Sequence, residues 1–432
     1  NRHYQPTAVY EPGSPETAEL ASYNARSRIT IDDGRTSQNP DPAIHPGNGE
    51  VFDLGNRFNG GDTITGVTGA IYYTFGLYRI MPTKFGDYVA ANPRDPEPED
   101  VGGDLKIATL NALNYFSTID TGDPICGPNL DQDCRGADDE YERERQLTKL
   151  TEALIGMDAD IVGLIEVENT AGVEPLEDIV ASLNAQLGKD TYRYVKAGEN
   201  SVVGTDAIKV GIIYKRTTVV PNEDPAILDD PSFLDPRDLG DDKNRAALAQ
   251  TFNQKGTGEK VTVVVNHLKS KGSGCGAGDD DPEQGSCNLT RTLAARALLD
   301  WIGTDPTGTG DPDFLIIGDL NSYDKEDPID VLRGGGYTDL LAEYQGELAY
   351  SYLFSGQLGY LDYGMSSATL TPQITGATAW HINSDEPDIL DYDTSFKQDA
   401  QDDLFEANAF RSSDHDAVII GLDLDRKLGE RR

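Results

Sequence analysis

Beyond residue 104 the chain alternates two hydrophobic periods. Short apolar runs at Leu105–Leu110, Asp160–Ile165, Val210–Tyr214, Ala247–Phe252, Lys260–His267, Phe314–Ile317 and Ala417–Leu422 read as strands. Between them, apolar residues recur three and four apart. Leu147, Leu150, Leu154 and Ile155 share one helical face. Leu176, Ile179, Val180, Leu183 and Leu187 mark a second helix, opened by Pro175 and closed by Gly188, and Leu289–Ile302 a third. This alternation predicts an α/β domain over 104–424. Residues 1–90 differ. Val51–Leu54, Thr63–Val67, Ala70–Phe75 and Leu77–Met81 are β-type runs broken by Gly, which predicts a small all-β unit. Its Pro-rich, polar residues 1–48 are expected to wrap around the rest. The stretch 91–103 begins dense in Pro and acid and reads as a linker, and 425–432 reads as a polar tail.

Composition narrows the class. The 432 residues can bury a sizeable core, and 20 Tyr with 12 Phe exclude a wholly disordered chain despite a mean hydropathy of −0.49. No apolar run approaches the roughly 20 residues of a spanning helix, so no membrane partner is expected. Asn1-Arg2-His3 starts without an apolar leader, as a mature secreted chain would. The 36 basic against 75 acidic residues leave a net charge of −39. Such a surface repels polyanions unless local cations or metal ions intervene, and it suits high salt, where self-repulsion is screened. Cys126 and Cys134, eight apart, and Cys275 and Cys287, twelve apart, lie in Gly/Asp-rich loops without zinc or redox spacing. They read as two local disulfides. That predicts an oxidising, extracellular location.

The polar residues of interest stand at the carboxyl ends of the predicted strands, where ligands bind in α/β sheets. These ends carry Asn111, Glu166, Asn266-His267, Asp319 and Asn321, Asp362, and Asp414-His415. Any one of them is most simply a turn or cap residue. Together, with two of only five His among them, they are a set. Hard oxygen donors (Asn111, Glu166, Asp319, Asn321, Asp414) suit Mg²⁺ or Mn²⁺ rather than Zn²⁺, and with His they suit phosphoryl chemistry. Asp362 is placed to hold His415 in one tautomer. Lys269 and Lys271, flanking His267, and Arg291 on the following helix are candidate phosphate contacts; Arg296 reads as structural. The runs 229–242 and 279–281 are acidic enough for a structural Ca²⁺, although a solvated acidic face is the simpler account. Tyr72, Tyr73, Phe75 and Tyr78 could stack bases, although such residues more often fill a small β core.

Six stretches occur in order: Leu-Lys-Ile-Ala-Thr-Leu-Asn (105–111), Ile-Val-Gly-Leu-Ile-Glu-Val-Glu-Asn (161–169), Asn-His-Leu-Lys-Ser-Lys (266–271), Gly-Asp-Leu-Asn (318–321), Leu-Asp-Tyr (361–363) and Ser-Asp-His-Asp (413–416). On these, 103–424 resembles the endonuclease/exonuclease/phosphatase superfamily, in particular its secreted bacterial extracellular nuclease branch. The resemblance implies a four-layer, two-sheet α/β sandwich preceded by a small OB-like domain. It implies metal ligation by Asn111 and Glu166 with Asp414 near the metal or nucleophile. Asp319 and Asn321 would orient water and meet the scissile phosphate, Asp362 and His415 would form a dyad, and His267 and Arg245 would serve the phosphate. Two departures stand out. Leu113 replaces an expected carboxylate, and Glu168 replaces a basic residue, which could add a metal ligand. Asp206 is the candidate carboxylate partner of His267. The expectation is a secreted, monomeric, salt-tolerant Mg²⁺- or Mn²⁺-dependent nuclease. It would cut DNA, with RNA as a further partner, internally and with little sequence preference. The alternatives are a phosphatase or phosphodiesterase acting on nucleotides or phospholipid headgroups, and a binding protein without catalysis. A lipid-acting enzyme would want an exposed apolar hairpin, and none is evident in the sequence.

Overall fold

Ser14-Pro15-Glu16 is a helix start, and it shapes the N-terminal region. In the computed structural model, which describes residues 2–424, the Ser14 side chain accepts from Thr17 N and opens α2 (Pro15–Arg26). Before it come β1 (His3–Tyr4) and α1 (Pro6–Val9). After it come β2 (Thr30–Ile31), β3 (Thr63–Thr65), β4 (Thr68–Thr74), β5 (Leu77–Lys84) and β6 (Asp87–Val89). The strands form a sheet β2-β5-β4 and a separate pair β3-β6. Helix α2 departs from the expected all-β composition, and the strands stand as two small separate sheets. The early residues do wrap. β1 pairs with Gln357–Leu358, and Ala8 packs on Tyr323 and Leu361. The β4–β5 hairpin holds Tyr72, Tyr73, Phe75 and Tyr78 in solvent rather than in a core, with Phe75 88% exposed. The stretch 91–103 is pinned: Trp380 Nε1 donates to Asp95 O at 3.0 Å, Arg94 pairs with Glu386, and Val101 is buried. The predicted tail 425–432 lies outside the described residues.

The rest is built of β7 (Leu105–Tyr115), α3 (Glu140–Met157), β8 (Ile161–Glu168), α4 (Pro175–Leu187), β9 (Tyr192–Tyr194), β10 (Ile208–Lys215), β11 (Val219–Leu228), α5 (Pro231–Leu234), β12 (Ala247–Gln254), β13 (Lys260–His267), α6 (Asn288–Ile302), β14 (Phe314–Asp319), α7 (Asp327–Gly334), β15 (Thr338–Asp339), α8 (Leu340–Gln345), β16 (Tyr352–Phe354), β17 (Gln357–Gly359), β18 (Asp362–Ser366), β19 (Ile374–Trp380) and β20 (Ala417–Leu422). Two six-stranded sheets result, ordered β19-β20-β7-β8-β10-β9 and β11-β12-β13-β14-β18-β15.

Strand alternation places the layers. On β7 and β8, Ile107, Ile161 and Ile165 join Val263, Val265 and Ile317 of the second sheet. The opposite face, with Ala108, Leu110, Val162 and Leu164, packs on Leu150 and Leu154 of α3 and Leu176 and Ile179 of α4. The second sheet is flanked by α6 and α7 through Ala294, Leu298, Ile329 and Leu332. This is the two-sheet α/β sandwich. Gly163 sits where the sheets touch: a Cβ there would meet Ile317 Cδ1 at 2.7 Å. Both disulfides form as the spacing predicts.

Candidate active site

The register puts three chemical residues abreast. β13 and β14 run parallel with His267 opposite Asp319, and β14 and β18 antiparallel with Asp319 opposite Asp362. The facing sheet brings Asn111 from β7 and Glu166 from β8, and the loop into β20 brings Asp414 and His415. Glu166 and Asn321 take positive φ, 61° and 48°, a conformation costly for such side chains and found where function re-aims a group. Asn321 is fixed by its own N–H to Asp319 Oδ1 at 2.8 Å and by Nδ2 to Leu268 O at 3.1 Å.

His415 Nδ1 lies 2.8 Å from Asp362 Oδ2, the dyad the resemblance implies. Ser351 Oγ donates to the same oxygen at 2.7 Å, and Tyr352 stacks on the His415 ring at 4.4 Å. Neither was expected; the weak run before Asp362 carries no motif, and only proximity in the fold reveals them. His267 Nε2 stands 3.8 Å from Glu166 and 3.7 Å from Asp319, too far for hydrogen bonds. Its Nδ1 is buried without a partner. Asp206 is thus not the partner of His267; it pairs with Arg245 and Arg135 instead.

Electrostatics separate the two histidines. Burial disfavours charge on His415, but the charges of Asp362 and Asp414 and the Asp362 bond hold it well above the ordinary imidazole range. Burial, then the charges of Arg245 and His415, drive His267 well below that range. Near neutral pH His415 is the cation and His267 the neutral ring. Burial pushes Asp319 up to about 7, with His415 opposing and Asp362 and Glu166 adding to the rise. Glu166 is raised by burial and then by the charge of Asp414, and lowered by His415 and by a bond from Asn111. Among the described residues no three His, Cys, Asp or Glu side chains form a metal cage. The donors here are different: an amide, a partly buried carboxylate and a repelling second carboxylate. That set fits a hard divalent cation that keeps several of its waters.

The remaining expectations divide. Arg245, 8% exposed, lies beside the centre, with Nη1 3.5 Å from Leu268 O. Lys269 bonds Ser273 Oγ at 2.9 Å, and burial with the Arg245 charge lowers it to about 8. Lys271 and Arg291 are not free to meet substrate. Lys271 Nζ is held 2.5 Å from both oxygens of buried Glu326, over the Tyr323 ring. Arg291 is fully buried and donates to Ser322 Oγ and to the carbonyls of Lys269 and Ser286. Glu168 is not a metal ligand either; it accepts from Ser117 N and Thr118 N. In the acidic loops Asp235 Oδ2 accepts from Gly240 N and Asp241 N, and Asp279 accepts from Thr290 and Arg237. A cleft of about 420 Å³ opens at Tyr352 and Asp414, with Phe58, Asp385 and Arg411 on its walls.

No family model matches this chain, and no curated protein does. Solved structures are similar to it. An endonuclease/exonuclease/phosphatase family protein from Bacteroides thetaiotaomicron is 14% identical, with a TM-score of 0.45 over 73% of this chain and 96% of that one. A mannosyl-6-phosphatase from the same organism is 14% identical, with a TM-score of 0.45 over 74% and 99%. D. rerio TDP2, complexed with a single-strand DNA product, is 15% identical, with a TM-score of 0.42 over 73% and 97%.

Proposed function

We propose that the chain is a secreted, Mg²⁺- or Mn²⁺-dependent hydrolase of phosphodiester bonds. Its proposed substrate is DNA, cut internally with little sequence preference. The observation that carries this is the convergence of Glu166, His267, Asp319 and the Asp362–His415 dyad from two sheets and one loop. The six motifs, in their order, support it.

Asn111 and Glu166 would hold the cation, with Asp414 close by. When bound, it would supply neutralisation of charge on a phosphate oxygen. Asp319, poised at about 7, can take a proton from water near neutral pH. Asn321, locked to Asp319 and Leu268, offers an amide to the phosphate. His415, charged and oriented by Asp362, stabilises negative charge or gives a proton to the leaving oxygen. Neutral His267 lies between Glu166 and Asp319 with a nitrogen to spare. Two disulfides fit an extracellular setting.

The test is a metal-titrated digest of circular double-stranded DNA, single-stranded DNA and RNA. Cleavage of the circle is expected with added Mg²⁺ or Mn²⁺, and loss of at least a thousandfold in His415→Ala and Asp319→Ala, both folded by circular dichroism. Near wild-type digestion by both variants would refute the proposal. The exposed β4–β5 hairpin removes the ground on which lipid substrates were set aside. Sphingomyelin and nucleotide monophosphates therefore belong in the assay. Their turnover with DNA left intact would make the chain a phosphatase or headgroup phosphodiesterase.

A further inference from the structure

Arg135 belongs to none of the six motifs, yet the fold sets it beside Arg245. It follows Cys134 directly. The Cys126–Cys134 bridge is buried with Phe116, Ala207 and Ile208, so the base of this loop is anchored in apolar packing. Paired hydrogen bonds between Cys126 and Gln132, at 2.9 and 3.0 Å, brace it, and Gln132 Nε2 ties it to Thr205 O at 2.8 Å. From that base Arg135 Nη2 reaches Asp206 Oδ1 at 3.0 Å, while Arg245 Nε holds Asp206 Oδ2 at 3.1 Å. One carboxylate thus sets two guanidinium groups side by side.

The pair leads into the reacting centre. Arg245 Nη1 points to Leu268 O, the carbonyl that also takes Asn321 Nδ2, and Leu268 follows His267. Arg245 is the inner member. Arg135 is the outer one, with its side chain 40% exposed. It lines a surface cavity of about 430 Å³ together with Gln132, Thr205, Asp206 and Asn244. Asp241 and Asp242, on the same cavity, are engaged by Lys243 and by Thr205 Oγ1. Arg135, Arg245, Lys243 and Lys269 against Asp206, Asp241 and Asp242 leave one positive charge in excess here, in a chain of −39. Guanidinium is the group best matched to phosphate oxygens, and Asp206 occupies only part of each fork.

We propose that Arg135 is the subsite for the phosphate next to the one hydrolysed, so that the enzyme takes a strand with consecutive phosphodiesters rather than an isolated phosphate ester. This rests on the phosphodiesterase proposal above and names its substrate class. It also explains how a polyanion is held once Lys271 and Arg291 are committed elsewhere.

The experiment compares kcat/KM of wild type, Arg135→Ala and Arg135→Lys on two substrates. One is dithymidine monophosphate, with a single phosphodiester; the other is a tetrathymidylate. Arg135→Ala is expected to lose roughly tenfold on the longer strand, the scale of a charge-assisted hydrogen bond. It should lose less than twofold on the dinucleoside. Arg135→Lys keeps most of the activity. The slope of log(kcat/KM) against log salt becomes more positive by about one in Arg135→Ala. Thermal melts of both variants report whether the fold is kept. Equal losses on both substrates would overturn the proposal by making Arg135 a support for Arg245. An unchanged rate on the longer strand would overturn it as well. Wild-type silence on both substrates would refute the parent function and this subsite with it.

Discussion

Lys271 separates a substrate-binding role from a structural one, and its replacement by Met decides between them. Its ammonium sits 2.5 Å from both oxygens of Glu326, which is fully buried and also accepts from Thr7 Oγ1 at 2.8 Å. Removing one member of a buried pair costs about 3–5 kcal/mol, because the other charge is stranded. The Lys271 side chain is 23% exposed, so water can reach the site, and the lower figure, about 3 kcal/mol, applies. Lys271→Met should therefore lower the urea midpoint by that equivalent at constant m. Adding Glu326→Gln removes the stranded charge and keeps an acceptor for Thr7. The double variant should recover most of the loss, and the cycle gives the coupling directly. Below the transition, kcat/KM on DNA should stay within twofold of wild type. A tenfold rise in KM with an unchanged urea midpoint would refute this reasoning and return Lys271 to the substrate.

Lys149 is buried, donates to Phe410 O at 2.7 Å, and is lowered by burial to about 7. The folded state holds its proton less tightly than the unfolded state, so the penalty is complete below about pH 7 and lifts as pH rises toward the ordinary lysine range. Lys149→Met should outlast wild type most at pH 6 and lose that advantage by pH 10 in parallel melts; a pH-independent difference would contradict this. Gly163→Ala places a methyl 2.7 Å from Ile317 Cδ1 and 2.9 Å from Val265 Cγ2, an overpacking worth about 1–3 kcal/mol, and an unchanged melting temperature would show the sheets are looser than described. Activity should hold or rise between about 0.1 and 1 M NaCl, since screening relieves the repulsion between DNA and a surface of −39; a steep fall from low salt upward would count against the charge argument.

Much of the two-sheet domain is legible because its strands are buried on both faces and so are apolar throughout, as Ile161–Ile165 and Val261–Val265 are. The polar residue that ends such a run stands out, which is how Glu166, His267 and Asp319 were found. What the sequence hid depends on partners far along the chain. Nothing near Lys271 or Arg291 marks Glu326 or the carbonyls that bind them. Arg135 is a single base in a loop, and its place beside a disulfide is the signal the sequence carries for it. The hairpin Tyr72–Tyr78 is as rich in aromatic residues as a small β core, and only the missing cover over it shows that the rings stay in water. The helix at Pro15 was missed because its stripe is thinly apolar, while its cap signal was present.

β20 has a temporal meaning. It is the neighbour of β7 on one side, as β8 is on the other, and it is introduced by Asp414 and His415. A ribosome must therefore release about 300 residues beyond β7 before the strand bearing Asn111 gains its second flank and the His415 imidazole arrives. Nascent or prematurely terminated chains lack both at once. Hydrolytic capacity of the proposed kind cannot arise in a nascent polypeptide before β20 itself has been made.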